Sequence, residues 1–293
     1  MGYSNKDLAR QINMNNTNQM IFERDGYQLK VEQFGQGPNL LVIGCVDYYK
    51  KVMPQTLHNH FTCLYLDHRG FALHDGVDSP INLEVISSDI EHICQHLNIK
   101  SASVFGHSGH AYMAIHFANQ TSLIIDKVIV VGAAPSLSRG MQEKQFAHWS
   151  QNASEERRKL LEKNMAMLES DITNEPERKF VHICRRLGPM RWADPKFDEL
   201  ELWMGVETNT VLLDKLWGEL FRDIDLTILS NNLNLTVING SLDFSIAPLH
   251  TWQCFKSAFK SLKLIELKGV SHTPMLECPE KFVDTMAKIQ RTR

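Results

Sequence analysis

Three residues far apart in the chain, Ser108, Asp243 and His272, are of the types that together turn a hydroxyl into a nucleophile. A serine hydroxyl attacks poorly near neutral pH. It needs a base within hydrogen-bond reach, usually histidine, and a carboxylate to hold that base. Ser108 lies in Ser103-Val104-Phe105-Gly106-His107-Ser108-Gly109-His110-Ala111, an apolar run, a glycine-flanked serine, and then Ala111, Ala114, Ile115 and Ala118 at helical spacing. That order predicts a strand, a sharp turn with serine at its apex, and a helix. A serine placed there projects its hydroxyl from the end of a sheet, and the helix behind it aims backbone N–H groups at whatever is attacked. The plainer alternative is a tight turn with a capping serine. Asp243 ends Val237-Ile238-Asn239-Gly240-Ser241-Leu242-Asp243, and His272 follows Gly269-Val270-Ser271. Either alone reads as a turn aspartate or a loop histidine. The order Ser, Asp, His, each just past a strand, is what carries specificity.

The elements that must position these residues follow from periodicity. Residues 20–34 alternate around Asp25-Gly26 and predict a hairpin. Continuous apolar runs at 39–44, 63–66, 127–131, 235–239 and 262–267 predict buried strands, the first followed by a helix over 49–57. An amphipathic helix is predicted over 83–97, another over 248–259, and a last one from Pro279. Between 136 and 232 strand signals vanish; Asn152 with Glu155 predicts a helix cap, Asn174-Glu175-Pro176 a helix start, and Gly188-Pro189 a break. Strands alternating with helices imply a mostly parallel central sheet flanked by helices, with an all-helical insertion. Ligands of such sheets sit at the carboxyl ends of the strands. Residues 1–17 read as a polar, loose or helical lead-in.

Composition narrows the class. A chain of 293 residues with 43% hydrophobic residues buries a sizeable core, and a net charge of −3 without basic runs argues against nucleic acid or an anionic membrane as partner. Six scattered cysteines without a CxxC pair read as reduced, mostly buried thiols, and the polar start carries no secretory signal; a cytoplasmic protein is the expectation. No apolar run approaches the ~20 residues that a membrane span needs.

With these motifs in hand, the chain resembles the α/β-hydrolase fold family. Gly106-His107-Ser108 resembles its nucleophile elbow, Asp67-His68-Arg69-Gly70 its Asp-x-Arg-Gly turn, Gly240-x-x-Asp243 with Pro248 its acid loop, and Gly269-x-x-His272-x-Pro274-Met275-Leu276-Glu277-x-Pro279 its histidine loop. The resemblance implies a core of 1–135 and 233–293 and a helical lid over 136–232, most like the proline-iminopeptidase and small-molecule esterase branch. It implies Ser108 as nucleophile, His272 as base, Asp243 as its support, and an oxyanion hole from the N–H of Gly109 with Val46 or Cys45. No metal or organic cofactor is implied, and the substrate is a small-molecule ester or amide. Aminopeptidase and acyl-thioesterase activity are the neighbouring readings, and a non-hydrolytic ligand-binding member of the fold is a reading from another class. His110 stands where the elbow carries glycine, and Gly44-Cys45 where the oxyanion loop carries His-Gly.

Other side chains are candidates for the pocket. His107 and His110 flank the serine, and Trp192 and Trp203 supply apolar surface to a cleft. Asp89, His92 and His96 share a helix face with zinc-like spacing but read as solvated surface. Arg185, Arg186 and Arg191 suit a substrate carboxylate or an acidic carrier protein, and Glu199, Glu201 and Glu207 a substrate amine; exposed helix charge is the expectation for all six.

Overall fold

Apolar runs become strands buried on both faces, and the chain alternates them with helices. The computed structural model describes residues 18–76, 81–226 and 232–291. The lead-in at 1–17 lies outside the described residues. In chain order the elements are β1 (Gln19–Arg24), β2 (Tyr27–Phe34), β3 (Asn39–Gly44), α1 (Val46–Val52), β4 (Thr62–Asp67), β5 (Leu73–His74), α2 (Leu83–His96), β6 (Ser101–His107), α3 (His110–Gln120) and β7 (Ile124–Val131). Helical segments follow: α4 (Arg139–Asn152), α5 (Glu155–Asn174), α6 (Lys179–Arg186), α7 (Gly188–Arg191) and α8 (Thr210–Lys215). The chain then returns through β8 (Asn234–Gly240), β9 (Ser261–Leu267), α9 (Pro274–Glu277) and α10 (Pro279–Arg291).

The sheet runs β1-β2-β4-β3-β6-β7-β8-β9, with β5 on the β2 edge. β2 is antiparallel to β1 and β4, and every pair from β4 to β9 is parallel. Register places Ile43 beside Gly106, Gly106 beside Val130, Val131 beside Ile238 and Ile238 beside Ile265. The loops after β3, β6, β7, β8 and β9 therefore leave from one edge of the sheet, which brings residues from 44 to 272 to one place. Among the described residues no helix is long and apolar enough to cross a membrane. The cysteines are free thiols, and Cys45, Cys63, Cys94 and Cys184 are buried.

Local differences from the sequence expectation have physical causes. The helix expected over 49–57 starts earlier, at Val46, and stops at Val52, because Pro54 holds Met53 extended at ψ 131° and only a 3₁₀ turn follows. The cap of α5 is Ser154, whose side chain accepts from the Arg157 N–H, instead of Asn152. The segment 249–258 is 3₁₀ in character.

Asp89 is buried, not solvated. Arg69 Nε and Nη2 donate to its two oxygens at 2.7 and 2.9 Å, and Nη2 also reaches Asp25 Oδ2 in the β1–β2 turn at 2.6 Å. The Arg69 guanidinium lies over the Tyr27 ring, 5.1 Å from its centroid. The rings of His92 and His96 have centroids 4.1 Å apart with their planes tilted by 52°. The Asp67–Gly70 turn thus fastens α2 and the first hairpin to the sheet. Replacing Asp89 by Ala leaves the buried Arg69 guanidinium with the exposed Asp25 as its remaining carboxylate and is expected to cost about 3 kcal/mol in urea unfolding, whereas His96→Ala stays within about 0.5 kcal/mol. Equal midpoints for the two variants would refute the anchoring role.

Candidate active site

β6 ends at His107, and Ser108 turns the chain at φ 57°, the left-handed region that side chains rarely occupy. The Ser108 N–H donates to the Val131 carbonyl at 2.9 Å, which ties the turn to β7. Gly106 makes the reversal possible: a Cβ there would lie 2.4 Å from the His110 carbonyl oxygen. α3 starts at once, so the buried Gly109 N–H sits among the unsatisfied donors of a helix start.

Asp243 and His272 leave the next parallel strands and meet. His272 Nδ1 lies 2.7 Å from Asp243 Oδ2, and both side chains are 1% exposed. Ser245, which the sequence reading missed, completes the contact. Its backbone N–H and its hydroxyl donate to Asp243 Oδ1 at 3.0 and 2.6 Å, and its Oγ lies 3.0 Å from His272 Nδ1. Because that hydroxyl donates to Asp243, it accepts from the histidine, so the hydrogen-bonding pattern assigns the proton to Nδ1. Nε2 is then a free lone pair, and it is buried without a hydrogen-bond partner among the described residues. Burial works against the Asp243 carboxylate, but the His272 ring and the two Ser245 hydrogen bonds hold it below the usual carboxylate range. The signal available in sequence was a hydroxyl two residues after an aspartate, the pattern of an Asx turn.

His107 donates from Nε2 to the His272 carbonyl at 2.9 Å, with ring centroids 4.8 Å apart. Burial, then the neighbouring His272, keeps it far below the ordinary histidine range. His110 finds its room over Gly44, whose φ is 150° and where a Cβ would lie 2.6 Å from His110 Nδ1. The Gly70 N–H donates to His68 Nδ1 at 3.0 Å, which leaves the His68 proton on Nε2. That proton faces His110 Nε2 at 3.2 Å, and His110 Nδ1 meets Tyr49 Oη at 2.8 Å. Burial pushes His110 down to about 3. Among the described residues no cluster of three or more His, Cys, Asp or Glu is arranged to hold a metal ion.

A cavity of about 40 Å³ opens on Ser108, lined also by Cys45, Tyr48, His107, His110, Arg191 and Trp203. Phe180 and Trp217, from the helical insertion like Arg191 and Trp203, also line it. Trp192 is not among its lining residues; it packs against Phe197 with centroids 4.4 Å apart. The oxyanion candidates differ in engagement. The Val46 N–H is held by Asp67 Oδ1 at 2.6 Å, while Cys45 lines the cavity. Burial pushes Asp67 up to about 7 against that hydrogen bond. Burial also raises the Cys45 thiol well above its ordinary range, so it stays neutral.

The insertion reaches the site through residues 189–193. The Met190 carbonyl accepts from the Phe244 N–H and the Arg191 carbonyl from the His272 N–H, both at 2.9 Å. Glu277 Oε2 accepts from the N–H groups of Ala193 and Ser271 at 2.9 and 3.1 Å. Arg191 and Glu199, expected as exposed helix charges, are buried: Arg191 Nε donates to Glu199 Oε1 at 3.0 Å and the Trp203 indole N–H to Oε2 at 3.3 Å. Arg185 and Arg186 instead pair with Asp198 and Asp171 within the insertion, and Glu201 and Glu207 are exposed.

Comparison with known proteins agrees with this architecture. The family described as alpha/beta hydrolase fold matches residues 40–279. The chain is 32% identical over 274 residues to the AB hydrolase superfamily protein YclE of Bacillus subtilis (strain 168), covering 92% of this chain and 97% of that one. Among solved structures it superposes on VinJ with a TM-score of 0.69 at 17% identity, covering 93% of this chain and 98% of that one. It superposes on the esterase EaEST of Exiguobacterium antarcticum with a TM-score of 0.65 at 16% identity, covering 92% and 97%.

The buried neutral histidines set an acid limit. His110 binds its proton at about 3 when folded and near 6.5 when unfolded, so the unfolded chain holds more protons between these values. His110 therefore costs no stability above about pH 6.5 and an increasing amount as the pH drops through that window. His110→Gln is expected to lessen the loss of unfolding free energy between pH 7 and pH 5 by about 2 kcal/mol. Urea titrations at the two pH values check this, and an unchanged loss in the variant would refute it.

Proposed function

The chain belongs to the α/β-hydrolase fold family, and on that premise we propose that it is a serine hydrolase of small carboxylic esters acting through an acyl-enzyme on Ser108. The observation that carries the reading is the buried, unpartnered Nε2 of His272, on a ring whose other nitrogen is fixed by Asp243. An orphaned buried acceptor costs about 1–3 kcal/mol and persists where it has work to do. No hydrogen bond joins Ser108 to His272 among the described residues, and catalytic contacts of this kind commonly form only when substrate is bound.

In the proposed cycle Ser108 Oγ bonds to the ester carbonyl carbon while its proton passes to His272 Nε2. Asp243 stabilises the resulting imidazolium. The oxyanion takes the Gly109 N–H and a second donor from the loop after β3. Cys45 is the better placed of the two candidates, since Asp67 already holds the Val46 N–H. The carbon–oxygen bond to the leaving group breaks as His272 returns the proton to it. Water then attacks the acyl-enzyme, gives its proton to Nε2, and frees Ser108.

Residues 136–232 would serve as the lid over a core of 1–135 and 233–293. The cavity holds a few water molecules at most, since each needs roughly 10–15 Å³, so an ester enters only if lining residues of the insertion, such as Phe180 and Trp217, move. An ester is favoured over an aminoacyl substrate because no carboxylate is among the described residues lining the cavity. Glu199, the candidate amine receptor, has both oxygens engaged.

A fluorophosphonate probe is expected to label the protein, and Ser108→Ala and His272→Ala to abolish labelling and to lower kcat on p-nitrophenyl esters by roughly 10⁴–10⁶. Absence of labelling in folded protein would overturn hydrolysis in favour of a ligand-binding role. Ser245→Ala keeps the Asp243–His272 contact but removes a charge-assisted partner; a fall in kcat of roughly tenfold is expected, and an unaltered kcat would remove Ser245 from the machinery.

A further inference from the structure

We infer that Arg191, together with the Tyr48 hydroxyl, forms a receptor for a carboxylate carried by the substrate, so that the ester cleaved is a half-ester or another anionic ester. The inference rests on the serine-hydrolase reading above and gives it a substrate class. Arg191 is 8% exposed and lines the cavity that opens on Ser108. Its Nε is committed to Glu199, but no described residue accepts a hydrogen bond from Nη1 or Nη2. A guanidinium carries five N–H donors in a planar fork suited to a carboxylate, and here the Nη side of that fork is unused. Tyr48, 3% exposed and lining the same cavity, has a buried hydroxyl that makes no close hydrogen bond, with the Thr273 hydroxyl, likewise without one, as its polar neighbour. Its ring is held against Trp203, with centroids 4.5 Å apart. A buried guanidinium with unused Nη donors and a hydroxyl without a close hydrogen bond, on a cavity wall that carries no carboxylate, have the complementarity of an anionic ligand.

The position of Arg191 is built, not incidental. Its carbonyl takes the backbone N–H of His272, and the flanking Met190 carbonyl takes that of Phe244, next to Asp243. The receptor is therefore fixed to the same loops that carry the proposed base and its carboxylate. Glu199 holds the guanidinium plane through Nε and is itself held by the Trp203 indole. Glu199 thus orients the cation, and a substrate amine has no access to it.

The test compares length-matched p-nitrophenyl esters: the half-esters of succinate, glutarate and adipate against butyrate, valerate and hexanoate, corrected for spontaneous hydrolysis. The reading is the ratio of kcat/KM for the anionic ester to that for its neutral match, alongside fluorophosphonate labelling. At least one half-ester is expected to exceed its neutral match by tenfold or more in the natural protein. Tyr48→Phe, which leaves the Arg191–Glu199 pair in place, should lower that ratio about tenfold through KM. Because Arg191→Met alone would strand the buried Glu199 carboxylate, it is made together with Glu199→Gln, and this pair should bring the ratio to one or below. Labelling with neutral esters preferred at every length, or with a ratio untouched in both variants, overturns the carboxylate receptor and leaves the serine hydrolase standing. A folded protein that neither labels nor cleaves any of the esters overturns both.

Discussion

A non-glycine residue held in the left-handed region costs about 1–3 kcal/mol, and it persists only where its surroundings over-determine it. Ser108 at φ 57° is so determined. Its N–H is taken by Val131 on the next strand, Gly106 lets the returning helix pass within van der Waals range, and α3 begins within two residues. The parallel register then does the rest. Because β8 and β9 continue the sheet in the same direction, their loops deliver Asp243 and His272 to the edge from which Ser108 projects. Neither loop needs to be long, and each is closed by its own short-range hydrogen bonds, such as the Asp243 N–H to Gly240 and the Leu276 N–H to Thr273.

The site gathers four buried histidines, and their surroundings divide the work among them. His68, His107 and His110 are all driven toward the neutral form, each chiefly by burial, with no carboxylate hydrogen-bonded to any of them. As neutral rings they serve as spacers with one donor and one acceptor each: His107 braces the His272 carbonyl, and the His68–His110–Tyr49 chain fills the room that a glycine after the elbow would leave. Only His272 has a carboxylate in hydrogen-bond contact, and only its ring therefore has a partner ready to stabilise a positive charge. The histidine in place of glycine at 110 finds its room over Gly44, so the two departures in the sequence fit each other.

This division explains how far the sequence could be read. The strands, the serine turn and the histidine loop were legible because each is encoded by neighbours: an apolar run, flanking glycines, a proline at a helix start. The buried state of Asp89, Arg191 and Glu199 was not, because it depends on partners that only the folded chain supplies. Asp89 meets Arg69 across two elements, while Arg191 is drawn into the cavity by the backbone of residues 244 and 272. Charged residues on a helical segment are most often exposed, and nothing local in the sequence marks these as exceptions. Trp192 shows the converse: a large aromatic near the site invites a pocket role, but its indole is spent on Phe197.

The same backbone contacts constrain how the covering segment can move. Residues 189–193 are bonded to the acid loop through Met190, to the histidine loop through Arg191, and to Glu277 through Ala193. Arg157 adds a clamp, with Nη1 donating to the carbonyls of Pro189 and Trp192 at 2.8 Å each. Opening at this end would unmake several buried hydrogen bonds and displace His272 itself, each bond costing about 1–3 kcal/mol in an unpaired partner. The half-buried rings of Phe180 and Trp217 also line the cavity; they meet each other edge to face at 4.7 Å, and Trp217 meets the His110 ring at 5.6 Å. The insertion thus meets the site in two ways, through hydrogen bonds from residues 189–193 to the loops that carry Asp243 and His272, and through ring contacts of Phe180 and Trp217.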